Sequence, residues 1–113
     1  MGRKATYDEM VDVLICDGDL NAKEMVKVKN KVQGLLRKNH NHVILDLGKT
    51  RHVDLAGLGI LVERLKAVRA AHGDLRVCNI QPQVYETLRL VGVSKLIESF
   101  PTRADAERSF KVA

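Results

Sequence analysis

Residues 43–59 read Val43-Ile44-Leu45-Asp46-Leu47, then Gly48-Lys49-Thr50-Arg51-His52-Val53-Asp54, then Leu55-Ala56-Gly57-Leu58-Gly59. Val43-Ile44-Leu45 is a short unbroken aliphatic run, which suits a strand covered on both faces rather than one with a wet side. Gly48 ends it. From Leu55 the apolar spacing becomes helical, through Leu58, Leu61, Val62, Leu65 and Val68 to about His72, with Gly73 expected as the C-cap. Asp54 stands just before the first helical residue, where a carboxylate can accept bonds from the free N–H groups of the first turn. A strand, a long helix and a further strand in one sheet favour a parallel crossover.

The flanking segments repeat this alternation. Downstream, residues 75–80 form the next expected strand. Pro82 opens a helix carrying Val84, Leu88 and Val91 until Gly92 stops it, residues 96–99 read as a short last strand, and residues 103–110 as a last helix. Upstream, Asp17-Gly18-Asp19 supplies a turn. Asn21 with Glu24 three residues on has the form of a capping box. The helix it starts runs to about Lys38, with Met25, Val28, Val32, Leu35 and Leu36 on one stripe and Lys23, Lys27 and Lys31 largely opposite. Residues 5–10 and 11–16 read as an opening strand pair. The expected class is α/β, a mixed sheet of four to five strands with about four helices, in a single domain over residues 1–113.

Composition agrees with a packed domain: 113 residues, 45% hydrophobic and 29% charged, with 19 Lys and Arg against 14 Asp and Glu for a net charge of +5. The aromatics are Tyr7, Tyr85, Phe100 and Phe110, so the core must be aliphatic and there is little to stack on single-stranded bases. The lysine face of the first helix reads as a solvated surface, and no nucleic-acid partner is expected. Cys16 and Cys78 each sit inside an apolar run, as buried reduced thiols do. No stretch approaches the roughly 18 apolar residues of a membrane span, and the polar start lacks a secretory core. A cytoplasmic protein without membrane insertion is therefore expected. Met1-Gly2 with Thr6 matches the loose N-myristoylation pattern, which is weak evidence.

Chemical motifs fail on spacing. Gly48-Lys49-Thr50 would need a glycine at position 43 to cradle phosphates, and that residue is Val43. Gly57-Leu58-Gly59 would need its third glycine at Val62, so these glycines are expected to permit close approach of the helix start to its neighbours. His40, His42, His52 and His72 have no zinc-type spacing to cysteines or acids, and they fall at turns and element ends, where an exposed imidazole is ordinary. Ser94, Ser99 and Ser109 lack a nucleophile elbow. No catalytic residue, metal or cofactor is expected, and a nucleotide-binding protein or enzyme built on Gly48–Thr50 is the weakest alternative.

The segment from Val43 to Gly59 resembles the STAS domain, the family of anti-sigma factor antagonists, whose members read L-D-L, a short spacer, then D-S-S-G-L-G. Gly18-Asp19-Leu20-Asn21 looks like the family's G-E-L-D, Gly73-Asp74-Leu75-Arg76-Val77-Cys78 like its G-G-x-L-x-L, and Leu88-Arg89-Leu90-Val91-Gly92-Val93 like its x-x-x-G-L ending. The resemblance implies a cytosolic, often bacterial, non-enzymatic module in transcription control. In its unmodified form such a module binds a serine-kinase-type anti-sigma factor, and phosphorylation of the second serine of D-S-S-G switches binding off. Here that segment is Asp54-Leu55-Ala56-Gly57, so Ala56 stands at the phosphoacceptor position without a hydroxyl, and Asn21 replaces the aspartate of G-E-L-D. The resemblance thus implies a partner-binding set of Asn21, Thr50, Asp54, Leu55, Ala56, Gly57 and Leu58. Thr50 is an alternative phosphate acceptor, and Leu55 is read either as an inward core residue or as an exposed contact. Alternatives keep the fold but change the system: a STAS subunit of an ABC-type transporter, or a scaffold of a signalling assembly. A homodimer is compatible with each.

Overall fold

Strand and helix alternate along the whole of the computed structural model, which describes residues 10–111. The order is β1 (Val11–Ile15), α1 (Ala22–Arg37), β2 (His42–Asp46), α2 (Leu55–Ala70), β3 (Asp74–Cys78), α3 (Pro82–Leu90), a single 3₁₀ turn (Val93–Lys95), β4 (Ser99–Phe100) and α4 (Arg103–Ser109). The strands lie in the order β1-β2-β3-β4 and pair parallel throughout, with Val11 opposite His42, His42 opposite Asp74, and Val77 opposite Ser99. Residues 5–9 of the expected opening strand pair, which would make the sheet mixed, lie outside the described residues, as do Gly2 and Thr6. Met10 is described and is not in a strand.

The alternation of side chains along β2 and β3 divides the interior in two. Val43, Leu45, Leu75 and Val77 point to the face covered by α1, α2 and α3, where they meet Met25, Val28, Val32, Leu58, Leu61, Leu65 and Leu88. Ile44 and Cys78 point to the other face, beneath Ala106 of α4 and Phe110, the residue that caps its end. Val43, Ile44 and Leu45 are fully buried, as a centre strand covered on both sides requires. Both cysteines are buried and free, and burial, reinforced by the Asp46 carboxylate, pushes the Cys78 thiol up to about 11.

Two boundary expectations are corrected. The left-handed residue that ends the α2 segment is His72 (φ 66°), not Gly73. Gly73 is needed for a different reason, because a Cβ there would lie 1.8 Å from the Asn41 carbonyl oxygen. The last strand is Ser99–Phe100 rather than residues 96–99, since Gly92 at φ 85° leads into the 3₁₀ turn that buries Val93 and Ile97.

Candidate functional site

Parallel neighbouring strands release the chain at the same end of the sheet, so the loop after β1 and the loop after β2 lie side by side. Leu20 and Val53 form a one-residue parallel bridge between them. In it the Leu20 N–H donates to the His52 carbonyl at 2.9 Å and the Asp54 N–H donates to the Leu20 carbonyl at 3.0 Å. This bridge delivers Asp54 to the start of α2. Its backbone is extended (φ −121°, ψ 163°) and its side chain accepts from the Gly57 N–H at 2.8 Å, the capping role its position implies. Asn21 does the same for α1, accepting from the Glu24 N–H at 2.9 Å. Only that half of the capping box forms, because the Asn21 N–H donates to the Asp19 carbonyl and the Glu24 carboxylate meets Lys27.

Steric contact sets how closely α2 sits. A Cβ on Gly57 would lie 2.4 Å from the Leu20 carbonyl oxygen, a backbone atom that cannot step aside. The close approach expected of the glycine pair therefore holds for Gly57. Around Gly59 there is open space within 4 Å. With Gly57 and Leu58 turned inward, Leu55 and Ala56 are left on the surface, and Leu55 is 75% exposed, so of its two readings the outward one holds. Thr50 is corrected: it is fully buried and its hydroxyl donates to the Gly18 carbonyl at 2.8 Å, tying the two loops together rather than facing a partner or a kinase. Asn21, Asp54, Leu55 and Ala56 are thus brought to one edge, beside a notch of about 120 Å³ lined by Asp19, Leu20, Asn21, His52, Val53 and Asp54.

In the sequence Asp19 is a turn residue and stands at the glutamate position of the G-E-L-D-like element. Its Oδ1 accepts from the backbone N–H groups of Arg51 (3.0 Å) and His52 (3.1 Å), and its Oδ2 lies 3.2 Å from His52 Nδ1. These bonds, the Arg51 N–H first, hold the carboxyl below its ordinary value. No local signal marks such a role, because its partners are 32 and 33 residues away. The histidines are likewise more engaged than their positions suggest. His40 Nδ1 lies 3.0 Å from an Asp12 carboxylate oxygen, and His42 stacks on Phe110. Lys49 pairs with Asp17 at 3.2 Å. Among the described residues no three His, Cys, Asp or Glu side chains could hold a metal ion, and no helix is long and apolar enough to cross a membrane. The site offers a capped helix start with an exposed apolar tip.

The chain is 27% identical over 112 residues to BtrV of Bordetella bronchiseptica, named as an anti-sigma factor antagonist, with 97% of each chain covered. Its fold matches a crystal structure described as an anti-sigma factor antagonist of Thermotoga maritima, with a TM-score of 0.83, 22% identity, and 92% of this chain and 90% of that one covered. It also matches the STAS domain of a SulP transporter from Vibrio cholerae, with a TM-score of 0.74, 16% identity, and 95% and 93% covered. The STAS domain family itself matches residues 5–106, nearly the whole length, and so this chain belongs to the STAS domain family, as a domain of the anti-sigma factor antagonist-like kind.

Proposed function

We propose that the chain is a regulatory docking module that binds a serine-kinase-type anti-sigma factor through the exposed start of α2, and that it carries no phosphorylation switch at position 56. The observation that carries this reading is the side chain at that position: a methyl group, on the surface, on the first turn of a capped helix. A helix N-terminus accommodates a phosphate well, so a serine here would suit a reversible switch, whereas alanine keeps the surface permanently apolar. Leu55 beside it is 75% exposed, and covering such a side chain in a complex is worth about 1.5–3 kcal/mol. Asp54 and Asn21 act from the same edge by holding the two helix starts in place. The likeness to BtrV, which bears the antagonist name, supports the same partner class.

The test is twofold. After incubation with a serine-kinase-type anti-sigma factor and ATP, intact-mass and peptide mapping are expected to show no phosphate on residues 49–58, and a phosphorylated side chain there would overturn the unswitched reading. Ala56→Asp is expected to weaken binding of that factor about tenfold or more, because a carboxylate is tolerated at a helix start but must lose its water in an apolar interface. Unaltered affinity would mean that the partner docks elsewhere. A second reading, a subunit seated on a membrane transporter, is favoured by the fold shared with the SulP transporter domain. Co-purification with a transporter and not with a kinase would select it.

A further inference from the structure

We infer that Asp19 is the positioning residue of the docking turn: from the loop after β1 it sets the backbone of residues 51–54, and with it the direction in which α2 presents Leu55 and Ala56. The docking role of that turn rests on the function proposed above; the clamp itself rests on geometry. Arg51 and His52 lie between β2 and α2, outside both, so their N–H groups have no partner within a helix and must find one elsewhere. One carboxylate oxygen accepts both, at 3.0 and 3.1 Å. This oxygen replaces what a further rung of sheet would do, and the Leu20–Val53 bridge begins immediately after it.

The clamp is anchored on its own side as well. The Asp19 carbonyl accepts from the Asn21 N–H at 2.9 Å, and the neighbouring Gly18 carbonyl accepts from the buried Thr50 hydroxyl at 2.8 Å and from the Cys16 thiol at 3.3 Å. Asp19 therefore reaches across from a loop that is itself tied down by these bonds. On the far side the turn leads directly into Asp54, whose cap on Gly57 and bond to the Leu20 carbonyl transmit its position to α2. The His52 imidazole contributes little, since its side chain is 82% exposed and such pairs are weak. The positioning resides in the two backbone donors, which an amide oxygen can satisfy as a carboxylate does.

That distinction supplies the experiment, carried out on the full chain. Asp19→Ala is expected to speed hydrogen exchange at the Arg51 and His52 amides, and at Gly57, by about tenfold or more, while exchange at Val43, Leu45 and Leu65 stays slow and reports an intact core. Asp19→Asn is expected to stay within about twofold of the unaltered chain, because its Oδ1 remains an acceptor. Titration with the purified serine-kinase-type anti-sigma factor is expected to follow the same order, with about tenfold weaker binding for Asp19→Ala and recovery in Asp19→Asn. Unchanged exchange in Asp19→Ala would overturn the clamp, and a loosened turn with unchanged affinity would overturn its link to docking. A factor that fails to bind even the unaltered chain would overturn the proposed function instead, with exchange still deciding the clamp.

Discussion

Asp54 and Ala56 stand two residues apart on the same helix start, one holding it and one exposed on it. The Asp54 carboxylate accepts from Gly57 and completes a first turn that otherwise has no acidic residue. Asp54→Ala is expected to cost about 1 kcal/mol of stability in urea unfolding, with Asp54→Asn near the unaltered value, since both oxygens serve as caps. The cap was legible from sequence because its donor is three residues away. The direction of Leu55 was not: an apolar residue at a helix start faces inward or outward according to what the neighbouring loop leaves open, and here Gly57 takes the inward position against Leu20. Thr50 shows the same dependence on a distant loop. The resemblance put it in the partner-binding set and left it open as a phosphate acceptor, yet it is enclosed because its acceptor belongs to the Gly18 loop, 32 residues earlier.

Within α2, Gly57 and Gly59 look alike in sequence and differ in physics. Gly57→Ala would drive a methyl group into the Leu20 backbone at 2.4 Å, so a loss of about 2 kcal/mol or more is expected together with displacement of the turn over residues 51–54. Gly59→Ala meets nothing within 4 Å and removes a flexible residue from a helix interior, so a gain of up to about 1 kcal/mol is expected. Opposite shifts of the melting temperature for these two variants check both statements. The same contrast explains the end of the segment, where His72 takes the left-handed conformation that glycine usually fills. Gly73 is required because a Cβ there would run into the Asn41 carbonyl, part of a different loop, which no reading of helix periodicity can supply.

Across the whole sheet, one face is sealed by three helices and the other, among the described residues, by α4. Phe110 carries much of that second contact: it is 7% exposed, Arg76 lies over its ring at 4.0 Å from the centroid, and His42 stacks on it at 5.0 Å. Arg76 also donates to the Ser109 carbonyl at 2.8 Å, fastening the end of α4 to β3. Phe110→Ala is expected to cost about 3–5 kcal/mol. Cys78, on the same face, reports the loss chemically. With its thiol pushed up to about 11, only roughly one molecule in a thousand carries the thiolate at pH 8, so iodoacetamide labelling of the unaltered protein is expected to wait on unfolding. Faster labelling at Cys78 in Phe110→Ala, followed by mass spectrometry, checks this.

From residue 11 onward the alternation of strands and helices, the buried centre strand, the caps at Asn21 and Asp54 and the bare methyl group at position 56 were legible in the chain, because each depends on residue type and on spacings of a few positions. The burial of Thr50, the outward Leu55, the separate duties of Gly57, Gly59 and Gly73, and the reach of Asp19 to Arg51 and His52 were settled by the folded molecule. Each of these depends on two loops meeting at one end of a parallel sheet, and contacts between segments some thirty residues apart leave no periodic mark on either one.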